Sequence, residues 1–475
     1  MKITVVGLGV RSGDVTLRGV QAIQSGAKVI VKTALAESAG SVAELGVPYS
    51  TLDFVYEKSR SFDSLQKNLV KEVLAAAKEQ DVVYCVDGAA SEDNSVKALL
   101  QKRKSVEIIE GVSKISAAIS LTNLKAGAYT AVSAYDISMP EEVCGALVVY
   151  DIDSAFLAGD VKLKLCDLLG DEVIATYVRQ GKATQIPLYE ADRQKEYDYT
   201  SVLVVPEVPL LSKERFGMQD LVAIMRLLRK PDGCPWDRSQ TNESIKKDMI
   251  EEAYELADAI ELNDTEKMIE ESGDVVLQAV FHAVIREEMG EYNMRDVLSG
   301  ICKKLISRHT HVFGKDRAAD SESALSVWEK NKMQEKHQDT FSASIRDVPK
   351  NFPAAMRAQK VQKRAAKAHF DFDGYESAAE KIPEELKELF AAAKEENKEH
   401  LFEECGDLLF ATVNVVRLCG VDSEESLQAS TRKFAERFMQ MESLIIADGK
   451  DILKLSPSEM DEYYRKAKKL CKPKN

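Results

Sequence analysis

Hydrophobic and polar positions follow two different grammars along this chain. Over about the first 210 residues, short apolar runs alternate with helical patterns. Ile3–Gly7 is an apolar run ending in Gly7-Leu8-Gly9, and a helix pattern follows through Leu17, Val20 and Ile23. Val82–Val86 is a second strand-like run, closed by Asp87-Gly88. Ala146–Tyr150, 172–178 and 201–205 read as further strands bounded by turn residues. Strands alternating with helices predict an α/β layer architecture for 1–210.

The grammar changes after Pro206 and Pro209. From Gln219 onward strand-like runs nearly vanish, and segments rich in Glu, Lys, Ala and Leu carry apolar residues at helical spacing. The polar stretch 316–347, with a short helix expected around Trp328 and with Pro349 and Pro353 after it, reads as a linker. The chain is thus expected to be multidomain: an α/β domain over 1–210 and two all-α modules over 215–335 and 345–475. Its 475 residues suit about three domains.

The two helical modules repeat one acidic pattern. The first holds Glu251-Glu252-Ala-Tyr-Glu255, then Glu271-Ser-Gly-Asp274, then an apolar helix through Val284. The second holds Glu384-Glu385-Leu-Lys-Glu388, then Glu404-Cys-Gly-Asp407, then Leu408-Leu409-Phe410. The pattern recurs at an offset of 133 residues, and each copy continues to a basic pair four apart, Lys304 with Arg308 and Lys433 with Arg437.

Helical geometry gives this repeat a chemical meaning. Residues three apart share a helix face, so Glu252 points with Glu255, and Glu271 with Asp274. Leu262-Asn263-Asp264-Thr265 supplies a loop, which folds the two helices into an antiparallel pair and lets four carboxylates converge. Such a cluster repels itself unless a cation answers it. Mg²⁺ suits carboxylate oxygens, keeps waters and binds phosphates, and the basic pair suits the remaining phosphates of a nucleotide. The alternative for any single acidic block is a solvated glutamate-rich face. An apolar run directly after each aspartate argues against it.

Composition narrows the partners. The formal charge of −14 argues against non-specific binding to nucleic acid polymers or anionic membranes. No apolar run reaches a membrane span, and the amino terminus does not read as a signal peptide. Eight scattered cysteines without a CxxC suggest reduced thiols and a cytoplasmic location. The long apolar faces of the helical modules cannot be buried by two helices alone. Packing between the copies, or into a homodimer or higher oligomer, is therefore expected to complete a four-helix core.

Both acidic modules resemble the MazG family of nucleoside triphosphate pyrophosphohydrolases, all-α proteins with an EExxE…ExxD motif. Gly233-Cys-Pro-Trp-Asp237, Gln240-Thr241, Ser307-Arg-His-Thr-His-Val-Phe313 and Met356-Arg-Ala-Gln-Lys360 are also similar to that family. The resemblance covers about 215–475. It implies Mg²⁺-dependent cleavage between the α- and β-phosphates of a nucleoside triphosphate. Glu252, Glu255, Glu271 and Asp274 would then hold metal in the first copy, and Glu385, Glu388, Glu404 and Asp407 in the second. Glu251 and Glu384 would orient or activate water. Pro383 precedes Glu384, so the second metal-bearing helix is expected to start later or to kink. Trp236, Phe370 and Phe372 can stack on a base or simply pack. Asn414 can meet a base edge or serve as a local amide.

The amino-terminal part resembles the tetrapyrrole methylase family, on Gly7-Leu8-Gly9, Gly111-Val-Ser113-Lys-Ile-Ser116-Ala-Ala118, the 158–165 segment and Pro187-Leu-Tyr-Glu190. That implies an S-adenosylmethionine site, with Gly7, Gly9 and Gly88 close to the cofactor and Ser113 and Ser116 donating to it. Two loops depart from the family pattern: Gly9-Val10-Arg11-Ser12-Gly13-Asp14 lacks its proline, and Asp87-Gly88-Ala89-Ala90 replaces a proline-glycine loop. The leading expectation is a nucleoside triphosphate pyrophosphohydrolase that cleans the nucleotide pool. The alternatives are a methyltransferase with accessory helical modules and a nucleotide-sensing binding protein.

Overall fold

The structure is a computed structural model, and it describes residues 1–59, 62–124, 128–138, 142–143, 145–335, 340–395 and 397–471. The expectation of a reduced thiol at Cys144 lies outside them, and the seven described cysteines are free. The chain forms two compact units, Met1–Val297 and Leu298–Asn475.

The first unit opens with a five-stranded, all-parallel sheet in the order β3-β2-β4-β1-β5. Its strands are β1 (Ile3–Gly7), β2 (Lys28–Val31), β3 (Tyr49–Thr51), β4 (Val82–Val86) and β5 (Glu107–Ile109). Every residue of β1 and β4 is buried. Central strands of a parallel sheet are covered on both faces, so they read as unbroken apolar runs. That is why these two were legible with their final bounds. The shorter β3 and β5 lack such runs, and in β2 the run is only Val29-Ile30-Val31.

A second sheet follows in the order β6-β7-β10-β8-β9. It comprises β6 (Tyr129–Ser133), β7 (Ala146–Tyr150), β8 (Ile174–Arg179), β9 (Lys182–Pro187) and β10 (Val202–Val205). β6 and β7 pair in parallel, and the other pairings are antiparallel. The run expected at 172–178 is shifted to β8. Gly170, at φ 101°, ends the Ala155–Leu169 helix, and residues 171–172 are spent on the turn. The run expected at 201–205 begins one residue later, because Ser201 is held by an N–H bond to the Asp198 carbonyl.

Still in the first unit, the Met218–Leu228 helix precedes two long helices, Lys246–Leu262 and Thr265–Glu288. Asn263 takes the left-handed conformation at φ 52°, and Asp264 caps the next helix by accepting from Lys267 N–H. Those two residues make the tight reversal that the sequence predicted. Val280, Phe281, Ala283, Val284 and Ile285 are buried, as the apolar run after Asp274 requires. Arg226 and Arg229 clamp the end of this helix through Glu287 and Glu288.

In the second unit the supposed linker proves to be largely helical. Ser321–Glu335 is a fifteen-residue helix and Phe341–Arg346 a shorter one. Arg308 explains part of the difference. Its guanidinium meets Glu335 at 2.9 and 3.2 Å and lies 5.3 Å from the Trp328 ring, which ties this polar helix down. The second acidic block lies on Lys381–Ala392 and Lys398–Leu418. Pro383 neither delays nor ends its helix. The helix starts at Lys381, which places Pro383 in the first turn, where an N–H has no partner to lose. Asn397 caps the following helix through Glu399 and His400 N–H.

Candidate active site

In the first unit the antiparallel helices bring Glu252, Glu271 and Asp274 together, with one carboxylate oxygen from each lying within 4.8 Å of the others. Three carboxylates meet in this way, not the four expected. Glu255 sits one turn farther on, about 4.5 Å along the helix axis, and is exposed. Its charge still reaches the cluster. Desolvation, then Asp274, Glu255 and Glu271, push the Glu252 carboxyl above its ordinary value. Desolvation, then Glu255, Glu270 and Asp274, do the same for Glu271, with Lys267 only partly offsetting them. Among the described residues no ion pair within 4.0 Å reaches Glu252, Glu271 or Asp274. Glu251 is exposed on the same helix.

The second unit repeats the geometry with Glu385, Glu404 and Asp407, again within 4.8 Å. Here Glu388 is the acid left outside, and desolvation followed by Glu385 and Glu404 raises its pKa. The surroundings differ. Lys381 Nζ lies 2.9 Å from Glu384 and 3.4 Å from Glu385. His400 Nε2 lies 3.2 Å from Glu404, and its Nδ1 lies 2.9 Å from Glu395. Glu404 is buried and one of its oxygens has no hydrogen-bond partner among the described residues. Neither Lys381 nor His400 was singled out from the sequence, because both lie outside the acidic motif. Lys381 could have been found, since it stands four residues before Glu385 on one helix face.

The remaining expected residues fall as follows. Lys304 and Arg308 belong to the second compact unit; Lys304 is exposed, whereas Arg308 is buried and committed to Glu335. Lys433 and Arg437 line one surface cavity with Gln440 and Ser443, and Arg437 Nε is buried without a partner among the described residues. Trp236 is 60% exposed, so its face is free to stack. Asn414 is engaged locally: its side-chain oxygen accepts from Arg417, which also pairs with Asp371.

Hard oxygen donors, mutual repulsion and the lack of a cation paired with them among the described residues make the first cluster a good fit for Mg²⁺. The family model of the MazG nucleotide pyrophosphohydrolase domain matches residues 240–313, which contain this whole cluster. The nucleoside triphosphate pyrophosphohydrolase/pyrophosphatase MazG of Thermotoga maritima is 45% identical over 251 residues, covering 53% of this chain and 95% of the relative. The chain belongs to the MazG nucleoside triphosphate pyrophosphohydrolase family. A nucleoside triphosphate pyrophosphohydrolase of Escherichia coli K12 is 38% identical over 52% of this chain and 96% of its own length. The uncharacterized protein YabN of Bacillus subtilis is 35% identical over 98% of both chains. Beyond the MazG match, the phosphoribosyl-ATP pyrophosphohydrolase model matches 335–434, which spans the second cluster. The tetrapyrrole (corrin/porphyrin) methylase model matches 2–144.

In that methylase-like domain the expected cofactor residues are occupied by the fold itself. Gly9 and Gly88 exchange backbone hydrogen bonds of 3.2 and 2.8 Å. A Cβ on Gly7 would lie 2.5 Å from Gly111 N, so the strand ends pack backbone to backbone. Asp14 closes the 9–14 loop by accepting from Val10 and Arg11 N–H. Ser113 donates to Glu92 and caps its helix by accepting from Ser116 N–H. The alkyl chain of Lys114 covers Gly88, where an added Cβ would lie 2.9 Å from Cε. The Lys114 ammonium is bound by Asp87 at 3.1 Å and Asp151 at 2.9 Å, and Lys32 binds Asp87 and Asp93.

Proposed function

We propose that this chain hydrolyses nucleoside triphosphates between the α- and β-phosphates, releasing a monophosphate and pyrophosphate, and that it acts to clean the nucleotide pool. The observation carrying this reading is the convergence of Glu252, Glu271 and Asp274 with no ion-pair partner among the described residues. Those three, with Glu255 beside them, would hold Mg²⁺ in the first copy; Glu385, Glu404 and Asp407, with Glu388, would do so in the second. When bound, Mg²⁺ neutralises phosphate charge and makes a water more acidic. Glu251 orients that water, and Glu384 has the same place in the second copy. Lys304 and Arg308 are assigned to the distal phosphates from their sequence spacing alone, and of the two Arg308 is already paired with Glu335. Lys433 and Arg437 have the same assignment in the second copy. Trp236 stacks on the base, and the Asn414 amide N–H₂ is left to donate to a base edge.

No serine, cysteine or histidine nucleophile belongs to the first cluster, so water attacks the α-phosphorus directly. Its oxygen then ends on the monophosphate. A panel of NTPs and dNTPs with and without Mg²⁺, in ¹⁸O-labelled water, tests this. Label in pyrophosphate, or orthophosphate as the first product, would sink the mechanism. Nucleotide binding without turnover would favour the sensing alternative.

The domain boundaries 1–210, 215–335 and 345–475 remain our division. We infer a homodimer or higher oligomer from exposed apolar side chains on the acidic helices, such as Ile250, Tyr254 and Ile260 in one copy and Phe402 and Leu409 in the other. The cysteine pattern supports the cytoplasm as the compartment, and among the described residues no helix is long and apolar enough to cross a membrane. We read S-adenosylmethionine as a poor ligand for the methylase-like domain, because Lys114 packs on Gly88 and the Gly9 and Gly88 backbones pair with each other. Tight stoichiometric binding by calorimetry would overturn that.

A further inference from the structure

A cavity of about 810 Å³ lies in the amino-terminal domain, and its described lining falls between Lys32 and Thr200. Eight carboxylates line it against two lysines, an excess of six negative charges. The lysines are already committed. Lys32 binds Asp87 and Asp93, and Lys114 binds Asp87 and Asp151. Asp198 is answered by Arg179 at 2.8 Å. Four acids are left without an ion-pair partner among the described residues. Asp53 accepts from Thr33 and Ala34, Asp153 accepts from Tyr135, and Glu37 and Glu57 complete the set.

A second observation is independent of this charge. Gln66 lines the same cavity, is 9% exposed, and its Oε1 has no hydrogen-bond partner among the described residues. A buried amide oxygen without a donor is a standing cost to the fold. The site therefore has a surplus of acceptors as well as of negative charge. Tyr56, Tyr199 and the stacked pair Phe62–Tyr135 add aromatic faces, which attract cations. A single metal ion does not suit it. Among the described residues, three or more metal-ligating side chains come close enough to share an ion only in the two helical clusters, and Asp87, Asp93 and Asp151 here already share lysines. An anionic ligand would be repelled by the same surplus.

We propose that this cavity binds an aliphatic polyamine. Its ammonium groups spread over Glu37, Asp53, Glu57 and Asp153, and one N–H donates to Gln66 Oε1. The aromatic faces cover the methylene chain. The ligand supplies donors and positive charge over a length that a compact ion cannot reach.

Calorimetric titration of the full chain with spermidine tests this, with the helical acidic clusters first saturated with Mg²⁺. One spermidine should bind per chain. Gln66→Leu and Glu37→Gln should each weaken it about tenfold, the scale of a hydrogen bond to a charged group, and leave nucleotide hydrolysis unchanged. Gln66→Leu substitutes an apolar group of similar shape for an unpaired acceptor, so the fold should hold. Glu57→Gln gives a further test should either variant misfold. Absence of binding, equal affinity in the variants and the parent, or tighter binding of S-adenosylmethionine than of spermidine would each overturn the proposal.

Discussion

Two acidic clusters built on equivalent helix pairs, 133 residues apart, meet opposite electrostatic surroundings. In the second, Lys381 and His400 lie within 3.4 Å of Glu385 and Glu404. The residue at the place of Lys381 in the first copy is Asp248, and the residue at the place of His400 is Lys267, which makes no ion pair within 4.0 Å with the cluster. One position thus reverses sign. The first cluster keeps its repulsion, and the carboxyls of Glu252 and Glu271 are pushed up by desolvation and by their neighbours. The second carries its own partial counterions. A conserved spacing of acids therefore does not fix what those acids can bind; the residues one turn away decide it. A divalent cation gains most where nothing inside the protein competes for the carboxylates.

The largest effect should separate the copies directly. Asp274→Ala is expected to cut pyrophosphate release more than about 100-fold, at or beyond the upper end for disturbing a metal site, while Asp407→Ala costs far less. The fold should survive both, since removing one acid lessens like-charge repulsion. Equal losses from the two variants would erase the contrast. Undiminished turnover in the double variant would mean the site lies elsewhere.

The Lys32–Asp87–Lys114 network of the amino-terminal domain shows the opposite limit, in which the charges are buried and paired. Burial alone would raise the Asp87 carboxyl, but Lys114 and Lys32 outweigh it and hold it well below its ordinary value of 3.8. The unfolded chain then binds more protons than the folded one as pH falls below about 4. The stability from Asp87 is fully present above that value and is lost as pH falls toward the depressed folded value. Lys114→Met leaves Asp87 and Asp151 partly unanswered and should cost about 3–5 kcal/mol at neutral pH. Chemical denaturation across pH 3 to 7 checks both parts. A Lys114→Met variant as stable as the parent would mean that the network contributes nothing.

Much of this was legible in the sequence where one physical cause acts alone. β1, β4 and β7 kept their expected bounds because buried parallel or central strands are uniformly apolar. β9 was missed because four of its six residues are exposed and polar or small. The acidic clusters were legible because helical spacing and repetition coincide. Their counterions were not read, because Lys381 and His400 belong to no motif, although each stands four residues before an acid of the cluster on the same helix. Arg308 was assigned to phosphate from its spacing with Lys304, yet its partner Glu335 lies on a helix whose polar sequence read as linker. The cavity at Gln66 depends on residues from Lys32 to Thr200 coming together, which no local pattern announces.

Exchanging the position that reverses sign sharpens the contrast on a smaller scale. Asp248→Lys imports a cation to the place that Lys381 holds, and should weaken the apparent Mg²⁺ affinity of the first copy about tenfold, a modest share of a close charge pair near the surface. Lys381→Met should strengthen Mg²⁺ binding by the second copy in the same measure. Metal titration followed by isothermal calorimetry reads both. Unchanged affinity in both variants would show that neighbouring charge is not what distinguishes the clusters.

The smallest effect concerns how each acidic helix begins. Pro383 is the third residue of its helix, so its missing N–H deprives no carbonyl of a partner. The corresponding residue of the first copy is Ile250, four residues beyond the start of Lys246–Leu262, where the N–H bonds back within the helix. Pro383→Ala should therefore change stability by less than about 1 kcal/mol, since looser backbone freedom in the unfolded chain works against a better helix former. Ile250→Pro should cost about 3 kcal/mol, because it removes a bond and crowds the preceding turn. Thermal unfolding of the two variants tests the difference. A large loss from Pro383→Ala would mean that this proline fixes the geometry of Glu384 and Glu385 and does not merely fit the first turn.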